Sequence, residues 1–482
     1  MSRRTLINAA ICLAFCANFA LPLNAASLGD PFSTGELVNP PTGIALAGGD
    51  DFKPCPALAP KSLSLADVVN ATLCGNPQTR EVWANARAQA STVGRADAAY
   101  LPKIDAVIDA SRNHNSGGGL PSNTNQNQRN KELSLSWLLY DFGGRAAGLT
   151  NAEELLNAAN ATQDATVQSL FLAAVQAFYQ LQSNQAIEAT TRAAEKAALE
   201  SFNAAEARYK TGVATPADKL QAQTAWSQAT LNRIKAAGDV NTAQGLLANV
   251  MGLNAATPLQ LATQDLQLAT QDEFPAPAQF SAKVEQLIDE AMRRRPDLRA
   301  AAAQARAALA GVDSARATGR PSLSLGAKAG ETSTNRLPDA NSATLGLTLS
   351  IPLYAGFDTT YKIRAAEAQA DARQAQQERV RLQVTLDVWN GYQTLTTAAQ
   401  TIRATADLID SAEQSQRAAL GRYKAGVGNI IDLLNAQSAL ASAAQQRAQA
   451  LYSWNTARIA LAQAMGTLDR GLIDSLQEKT TP

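Results

Sequence analysis

The sequence predicts a mixed α+β fold in which long α-helices dominate and two β-hairpins are inserted between them. Three observations predict it: an alanine-rich composition, an internal repeat, and an apolar spacing that changes from near 3.6 to 2 at matching places in the two copies. Hydrophobic residues make up 46% of the 482 residues, whereas aromatic residues make up only 5%. Such a chain packs thin, close-set helices better than one thick core.

The charge balance and the histidine content argue against several classes of function. The chain has 42 Lys+Arg and 42 Asp+Glu, a net charge of +0, so it lacks the basic surface that binds nucleic acid. Its one histidine, His114, lies in a polar stretch and argues against His-based metal sites or catalysis. Nucleophile-elbow, phosphate-loop and Cys/His metal motifs are missing from the sequence. We therefore expect no enzyme, cofactor or metal.

An export signal is predicted at residues 1–26. Arg3 and Arg4 precede an apolar stretch at 7–23, which ends in the small residues of 24–26. No other stretch of the sequence reaches the ~18 apolar residues of a membrane-spanning helix. We therefore expect an exported chain that does not cross a membrane as helices.

Cysteine usage agrees with export. Of four cysteines, Cys55 and Cys74 are the two that lie beyond the signal. An even pair in an oxidising compartment predicts one disulfide, worth about 3 kcal/mol in the chain-entropy model. Two free buried thiols are the alternative.

An internal repeat organises the rest of the chain. The segment Arg-Tyr-Lys-Thr-Gly-Val at 208–213 returns as Arg-Tyr-Lys-Ala-Gly-Val at 422–427, an offset of 214 positions. At this offset Asp218 matches Asp432 and Met251 matches Met465; upstream the offset is 219, where Pro102 matches Pro321. The predicted divisions are an N-terminal segment at 27–62, a first copy at 63–253, a linker at 254–279, a second copy at 280–468 and a tail at 469–482.

Each copy predicts the same order of elements. A helical segment, 65–99 or 280–318, ends just before a proline, where helices usually stop. A β-hairpin follows at 102–142 or 321–354, and then a very long helix, which runs from 144 to about 210 in the first copy and extends ~100 Å. Return helices are predicted at 216–251 and 429–465. Gly212 and Gly426 supply the turns between them because glycine adopts positive φ freely.

Alternation of apolar residues with mostly polar ones predicts four two-faced strands, around 104–110, 133–139, 323–329 and 345–351. Within the hairpins each strand is long enough for the ~9–11 residues of a tilted membrane strand. Aromatic residues at the helix-proximal ends fit an interfacial belt: Tyr100, Tyr140, Phe142, Tyr354 and Phe357. The polar stretches 113–131 and 331–343 are predicted to be exposed loops.

Four strands cannot close a barrel, because lipid does not tolerate open strand edges and the smallest membrane barrels have eight strands. A spanning sheet therefore requires an oligomer, in which two, three or four chains would give eight, twelve or sixteen strands. The alternative is an exported periplasmic coiled-coil scaffold or adaptor without a transmembrane barrel, which explains the helices but not the strands. A general porin explains the strands but not the helices.

Together these patterns resemble the TolC family of outer-membrane exit ducts over about 63–468. The resemblance rests on the duplication, the paired Arg-Tyr-Lys-x-Gly-Val turns, the proline–strand–loop–strand–glycine order and the Ala-Met-Gly-Thr-Leu ending at 464–468. It implies a trimeric 12-stranded transmembrane β-barrel, four strands per chain, continuous with a periplasmic α-helical barrel. A collar would use the 27–62 and 255–279 segments and the C-terminal tail.

The resemblance also implies function, location and partners. The chain would be the passive outer-membrane exit duct of a tripartite export system in a Gram-negative cell, carrying proteins (type I secretion), small toxic compounds, or both. Its tip turns at Gly212 and Gly426 would face a periplasmic adaptor (membrane fusion) protein and an inner-membrane ABC or proton-driven transporter. The Leu-Cys-Gly-Asn-Pro segment at 73–77 and the cysteine pair look more like CyaE-type members, which serve type I toxin secretion.

In this family, acidic residues on the return helix of the second copy line the closed periplasmic end. Asp432 matches that position, whereas Asn435 occupies the companion acidic position, so any carboxylate ring would be single. Tyr423 and Asp218 match latch positions, but Gly428 stands where some members carry a latching arginine. The alternative for both aspartates is that each stabilises a helix N-terminus through the macrodipole.

Overall fold

The computed structural model describes residues 29–38, 62–115, 124–262, 284–335 and 338–468. The described part is mostly helical and contains one antiparallel sheet. Across these ranges, no helix is both long enough and apolar enough to cross a lipid bilayer.

The two halves of the chain contain the same elements in the same order. The first half comprises α1 (Leu65–Gly75), α2 (Pro77–Ala98), β1 (Lys103–Asn115), β2 (Thr124–Tyr140), α3 (Gly144–Lys210) and α4 (Pro216–Val250). The second comprises α5 (Val284–Arg294), α6 (Pro296–Ala317), β3 (Ser322–Thr334), β4 (Ala340–Ser350), α7 (Asp358–Lys424) and α8 (Ile430–Ala464). Helices α3 and α7 have 67 residues each, and α4 and α8 have 35 each. At 1.5 Å per residue, α3 and α7 are each about 100 Å long.

The predicted helical segments 65–99 and 280–318 are wrong in one respect, because each is divided into two helices. The breaks lie before Pro77 and Pro296, which occupy the first turns of α2 and α6. Proline lacks an N–H and clashes with the preceding turn, so it starts a new helix more readily than it continues one. Asn76 caps the new start by accepting a hydrogen bond from the Gln78 N–H at 2.9 Å.

The predicted loops at 113–131 and 331–343 are also too long. Strand β1 continues to Asn115 and β2 already begins at Thr124, while β3 and β4 leave only the residues between Thr334 and Ala340 as a connection. Backbone ladder bonds do not depend on side-chain polarity, so polar residues extend strands that sequence preference alone would end. Residues 116–123 and 336–337 lie outside the described ranges.

The sheet has the order β1-β2-β3-β4, all antiparallel, and β1 and β4 are its edges. The register aligns apolar residues across neighbouring strands on one face and polar residues on the other. One apolar row joins Ile104, Leu135, Ala327 and Leu345, and the adjacent polar row joins Asp105, Ser134, Lys328 and Thr344. The alternation predicted from the sequence thus corresponds to two chemically distinct faces.

Aromatic side chains mark the boundary between sheet and helices, where the sequence places them. All five are exposed: Tyr100, Tyr140, Phe142, Tyr354 and Phe357. Arg145 fixes the first of these junctions by donating to the carbonyl oxygens of Leu138 at 2.7 Å and Leu139 at 3.1 Å. Its guanidinium carbon also lies 4.7 Å from the centre of the Tyr100 ring.

The long helices change neighbours along their length. Near the sheet, α3 packs against α2 and α6, and α7 packs against α6; further away, α3 packs against α4 and α8, and α7 packs against α8. The largest buried cluster lies at the change of neighbours and includes Val68, Phe178, Leu181, Leu247 and Met251. We call the region where α4 and α8 end the waist.

At the waist, the ends of α4 and α8 press against the breaks between the short helices. A Cβ on Gly252 would lie 2.4 Å from the Gly75 carbonyl oxygen, so glycine is required there. Beside Gly466, the buried Arg295 pairs with Asp297 at 2.6 Å and Asp387 at 2.8 Å. These contacts fix the return helices at one end and leave their other ends to form the site described next.

Candidate functional site at the helical tip

The far end of the molecule, which we call the tip, consists of the turns at 211–215 and 425–429 and the helix ends that flank them. Gly212 and Gly426 have φ of 76° and 77°, a region that favours glycine. The N–H of Val213 donates to the Arg208 carbonyl at 2.9 Å, and that of Val427 donates to the Arg422 carbonyl at 3.1 Å. Each turn therefore closes its helix with the same backbone bonds.

The first turn commits the carboxylate of Asp218 to capping α4. Asp218 Oδ2 accepts from the Thr215 N–H at 2.9 Å and from the Thr215 hydroxyl at 2.8 Å, while the Asp218 N–H donates to Thr215 Oγ1 at 3.2 Å. This reciprocal arrangement satisfies helix N-terminal groups that would otherwise lack partners. It favours helix capping, the alternative interpretation of Asp218.

In the second turn, the carboxylate of Asp432 does not cap its helix. Asn429 caps α8 instead, because its side-chain oxygen accepts from the Asp432 N–H at 3.2 Å. Asp432 is exposed, and within the described ranges its carboxylate has no hydrogen-bond or ion-pair partner. The two matched aspartates thus differ: one is used locally and the other is free to act outside its own helix.

Tyr423 anchors the two helical hairpins, α3–α4 and α7–α8, to each other. It is only 7% exposed and packs in a cluster with Ile430 and Leu433 of α8. Arg208 of α3 lies over its ring, 4.2 Å from the centre, and donates to its carbonyl oxygen at 2.7 Å. Stacking of a guanidinium on an aromatic face is attractive.

Sequence reasoning did not single out Arg208. It lies within the repeated Arg-Tyr-Lys-x-Gly-Val motif, and that recurrence was the signal available. In the described part of the molecule, the structure brings Tyr423 to Arg208 and not to Asp218. The latch roles of Tyr423 and Asp218 therefore stay predictions.

The first tip also carries a charged cluster that the second lacks. Glu206 lies 3.0 Å from Lys219 and 3.4 Å from Lys210. The hydrogen bonds from Lys219 and then Lys210 lower the pKa of Glu206 below its usual value. Lys219 Nζ lies 5.8 Å from the centre of the Tyr209 ring, which is 41% exposed.

Gly428 has room for a larger side chain only if its neighbours shift. A Cβ at this position would lie 3.0 Å from the Arg422 Cβ and 3.1 Å from the Arg422 carbonyl carbon. The Gly428 N–H donates to the Arg422 carbonyl oxygen at 3.0 Å. The small residue here keeps the turn tight.

Only one of the two cysteines of the predicted disulfide lies in the described residues. Cys74, in the last turn of α1, is disulfide-bonded. Cys55 lies outside the described residues, so its pairing with Cys74 stays a prediction.

An exposed apolar sheet face, aromatic residues at one end of the strands and paired helices about 100 Å long define the class of protein: an outer-membrane channel with a helical extension. The family model described as outer membrane efflux protein matches residues 68–253 and 287–467. The chain belongs to this family.

Individual proteins agree with this assignment. The chain is 30% identical over 471 residues to protein CyaE of Bordetella pertussis, covering 96% of each chain. It is 26% identical to the toluene efflux pump outer membrane protein TtgC of Pseudomonas putida, covering 84% of this chain and 83% of that one. The CmeC outer membrane channel of Campylobacter jejuni has a similar fold, with a TM-score of 0.74 at 16% identity over 89% of this chain and 95% of that chain.

Family membership confirms several predictions made from the sequence. The protein is an outer-membrane exit channel of the efflux and secretion systems of Gram-negative cells, with a tunnel that extends into the periplasm. It is a transporter and not an enzyme.

Proposed function

We propose that three copies of this chain assemble into a passive exit duct, with a 12-stranded barrel in the outer membrane that continues into a periplasmic helical tunnel. The observation that carries this proposal is the open sheet. Strands β1 and β4 are unpaired edges, and every residue of β4 is exposed. Because lipid does not tolerate unpaired strand edges, other copies must cover them. The family resemblance favours three copies over two or four.

The other sheet face supports a water-filled lumen. It carries Asp105, Ser134, Lys328 and Thr344 in one row across the four strands, and Lys328 lies 3.0 Å from Glu132 of the neighbouring strand. Charged residues of both signs on one face suit water, whereas leucines on the other face suit lipid. The matching helix lengths of the two halves support the predicted duplication.

The segments outside the two copies are proposed to form a collar. Two described contacts support this role. Leu63, which directly follows the predicted N-terminal segment, forms a parallel bridge with Leu261 of the predicted linker. Asn160 of α3 donates to the Leu37 carbonyl oxygen at 3.1 Å.

At the tip, we propose that Asp432 lines the closed periplasmic entrance and that Tyr423 and Asp218 help to hold it shut. The turns at Gly212 and Gly426 would face the periplasmic adaptor and the inner-membrane transporter. Val213 and Val427, which follow these glycines, are 75% and 74% exposed, so each turn presents an apolar side chain at the surface of the tip.

The cargo is proposed to be protein, carried by type I secretion. The extent of the similarity to CyaE and the Leu-Cys-Gly-Asn-Pro segment favour it. Small toxic compounds are the second candidate, favoured by the similarity to TtgC. Expressing the chain with its own genomic partner transporter, in a host lacking a TolC-type channel, separates the two. Restored protein export into the medium would support the first, and restored resistance to solvents or drugs alone would support the second.

The oligomer is tested by purifying the mature chain from outer membranes in detergent and measuring its mass by light scattering. We expect a trimer. A stable monomer with native strand content by circular dichroism would contradict the proposal.

We also propose that Cys74 pairs with Cys55. Mass spectrometry of unreduced mature protein should find the linked peptides. Free thiols at both positions in periplasmically exported material would contradict the pairing.

A further inference from the structure

Two polar pairs join the first helical hairpin, α3–α4, to the second, α7–α8, near the tip; we call this contact the internal junction. In the first pair, Arg208 stacks on Tyr423 and bonds to its carbonyl oxygen. In the second, Gln437 Nε2 of α8 donates to Ser201 Oγ of α3 at 3.0 Å. Both pairs connect elements that are far apart in sequence.

The repeat duplicates both pairs, but within one chain the duplicates are not assembled. At the 214-residue offset, Arg208 and Tyr423 correspond to Arg422 and Tyr209, and Ser201 and Gln437 correspond to Ser415 and Gln223. The residue types are retained at all four positions. All four are exposed, and within the described ranges the side chains of Arg422, Ser415 and Gln223 have no polar partner.

The packing order of the helices shows where their partners would lie. Within one chain α4 packs on α3, α3 on α8, and α8 on α7. Because α3 corresponds to α7 and α4 to α8, the same order continued into a second copy places α7 beside the next copy's α4. That contact is the repeat counterpart of the internal junction.

We infer that Arg422 stacks on Tyr209 of the partner subunit, and that Ser415 pairs with Gln223 of the partner subunit, so that three such external junctions close the tip. This inference rests on the proposed trimer. The site is incomplete in one chain, since each copy supplies the arginine to one neighbour and the tyrosine to the other.

The external junction keeps the polar pairs but not the apolar ones. The internal junction also contains Phe202, Ile430 and Leu433. At the 214-residue offset these correspond to Gln416, Pro216 and Lys219. The large apolar side chains of the internal junction therefore have no counterparts between subunits, so the tip should separate between subunits before it separates within one.

Glu206 makes the stacking compatible with the lysine already beside Tyr209. Its carboxylate lies 3.0 Å from Lys219 Nζ and 3.4 Å from Lys210 Nζ, so it offsets one of the two positive charges that would repel a further cation. The 41% exposure of Tyr209 leaves ring surface for the incoming guanidinium.

Cross-linking tests the geometry in the full-length protein. The paired variant Ser415→Cys/Gln223→Cys, treated in membranes with a short thiol-specific cross-linker, should give covalent dimers and trimers on a denaturing gel. The matched control Ser415→Cys/Gln221→Cys moves one cysteine to the other side of α4 and should give few. The pair Ser201→Cys/Gln437→Cys, at the internal junction, calibrates the reagent by an intrachain link that mass spectrometry detects.

The outcomes separate this inference from the trimer itself. Light scattering could find trimers while the Ser415→Cys/Gln223→Cys variant cross-links no better than the control. That result would overturn the inference but not the trimer. A chain that is monomeric throughout would overturn both.

Single-channel recording tests the function of the contact. Arg422→Ala and Tyr209→Ala should each raise the open-to-closed ratio by roughly tenfold, since three weak contacts are lost together. The double variant should do no more than either single variant, because both remove one contact. Tyr209→Phe keeps the ring and should behave as wild type, as should Arg417→Ala, which removes a surface pair with Glu413. Additive effects of the two alanine variants, or unchanged gating in both, would refute the stacking.

Discussion

The helices end with the same backbone turn at the waist and at the tip, but the turn is closely packed at the waist and loosely surrounded at the tip. At the waist, Gly252 and Gly466 have φ of 75° and 70°, and at the tip Gly212 and Gly426 have 76° and 77°. A Cβ on Gly252 would meet the Gly75 carbonyl oxygen at 2.4 Å, whereas nothing lies within 4 Å of one on Gly212 or Gly426. The local sequence therefore sets the turn, and the surroundings decide whether the turn can move.

Arg295 at the waist and two charged residues of the second tip turn show the same difference. Arg295 at the waist is buried and bonded to two carboxylates. At the tip, Asp432 and Arg422 are exposed without side-chain polar partners in the described part of the chain. This arrangement would suit the proposed opening at the tip, because the waist anchors the return helices while their far ends retain unused contacts.

The largest expected effect comes from adding a methyl group to the waist. Gly252→Ala combines left-handed strain with a backbone clash and should destabilise the end of α4 by about 3–5 kcal/mol. The matched change at the tip, Gly212→Ala, adds only the strain and should cost about 1–2 kcal/mol. Hydrogen exchange of peptides covering 245–255 and 205–215 measures both. Equal losses of local stability at the two sites would contradict the proposed difference between waist and tip.

A second effect sharpens the comparison within the tip. Leu433 is 1% exposed beneath the second turn, so Leu433→Ala should destabilise this end of α8 by about 2–3 kcal/mol. Leu220→Ala, at an exposed leucine of α4, should change little. Limited proteolysis at the two turns would compare them. If both variants were cleaved equally fast, the apolar cluster would not be what holds the second hairpin.

Much of this fold could be predicted from the sequence, and the errors have definite causes. Alternation predicted all four strands, and the start of α3 at Gly144 and its end at Lys210 agree with the predicted limits. The breaks at Pro77 and Pro296 were missed because apolar spacing continues across them, although proline chemistry marks them. The strand extensions into polar sequence were missed because ladder pairing outweighed local preference.

The tip was less predictable than the fold. The sequence located Asp218, Tyr423 and Asp432, but it could not show that Thr215 occupies the carboxylate of Asp218 or that Arg208 covers Tyr423. Both contacts depend on side-chain direction. Arg208 also reaches an element more than 200 residues away, a distance at which spacing carries no information.

A smaller effect tests the first turn. Asp218→Ala removes a capping partner and should destabilise the start of α4 by about 1 kcal/mol. Asp218→Asn keeps an acceptor and should lose less. Faster exchange at 216–222 with unaltered ion selectivity would support capping as its role, whereas altered selectivity with normal exchange would favour a direct role in the entrance.

The smallest effect on stability, and the most specific effect on transport, is expected at Asp432. Its carboxylate is exposed and the Asn429 side chain already caps α8, so Asp432→Ala should leave the proposed trimer intact. Threefold symmetry would place three such carboxylates around one axis, where they attract cations and repel anions. In planar-bilayer recordings, Asp432→Ala should therefore lower the cation preference and weaken block by multivalent cations. Asn435→Asp, which adds a carboxylate one turn further along α8, should strengthen both. If neither variant changes selectivity or block, Asp432 only stabilises the N-terminus of α8, and its match to the family's acidic position carries no function.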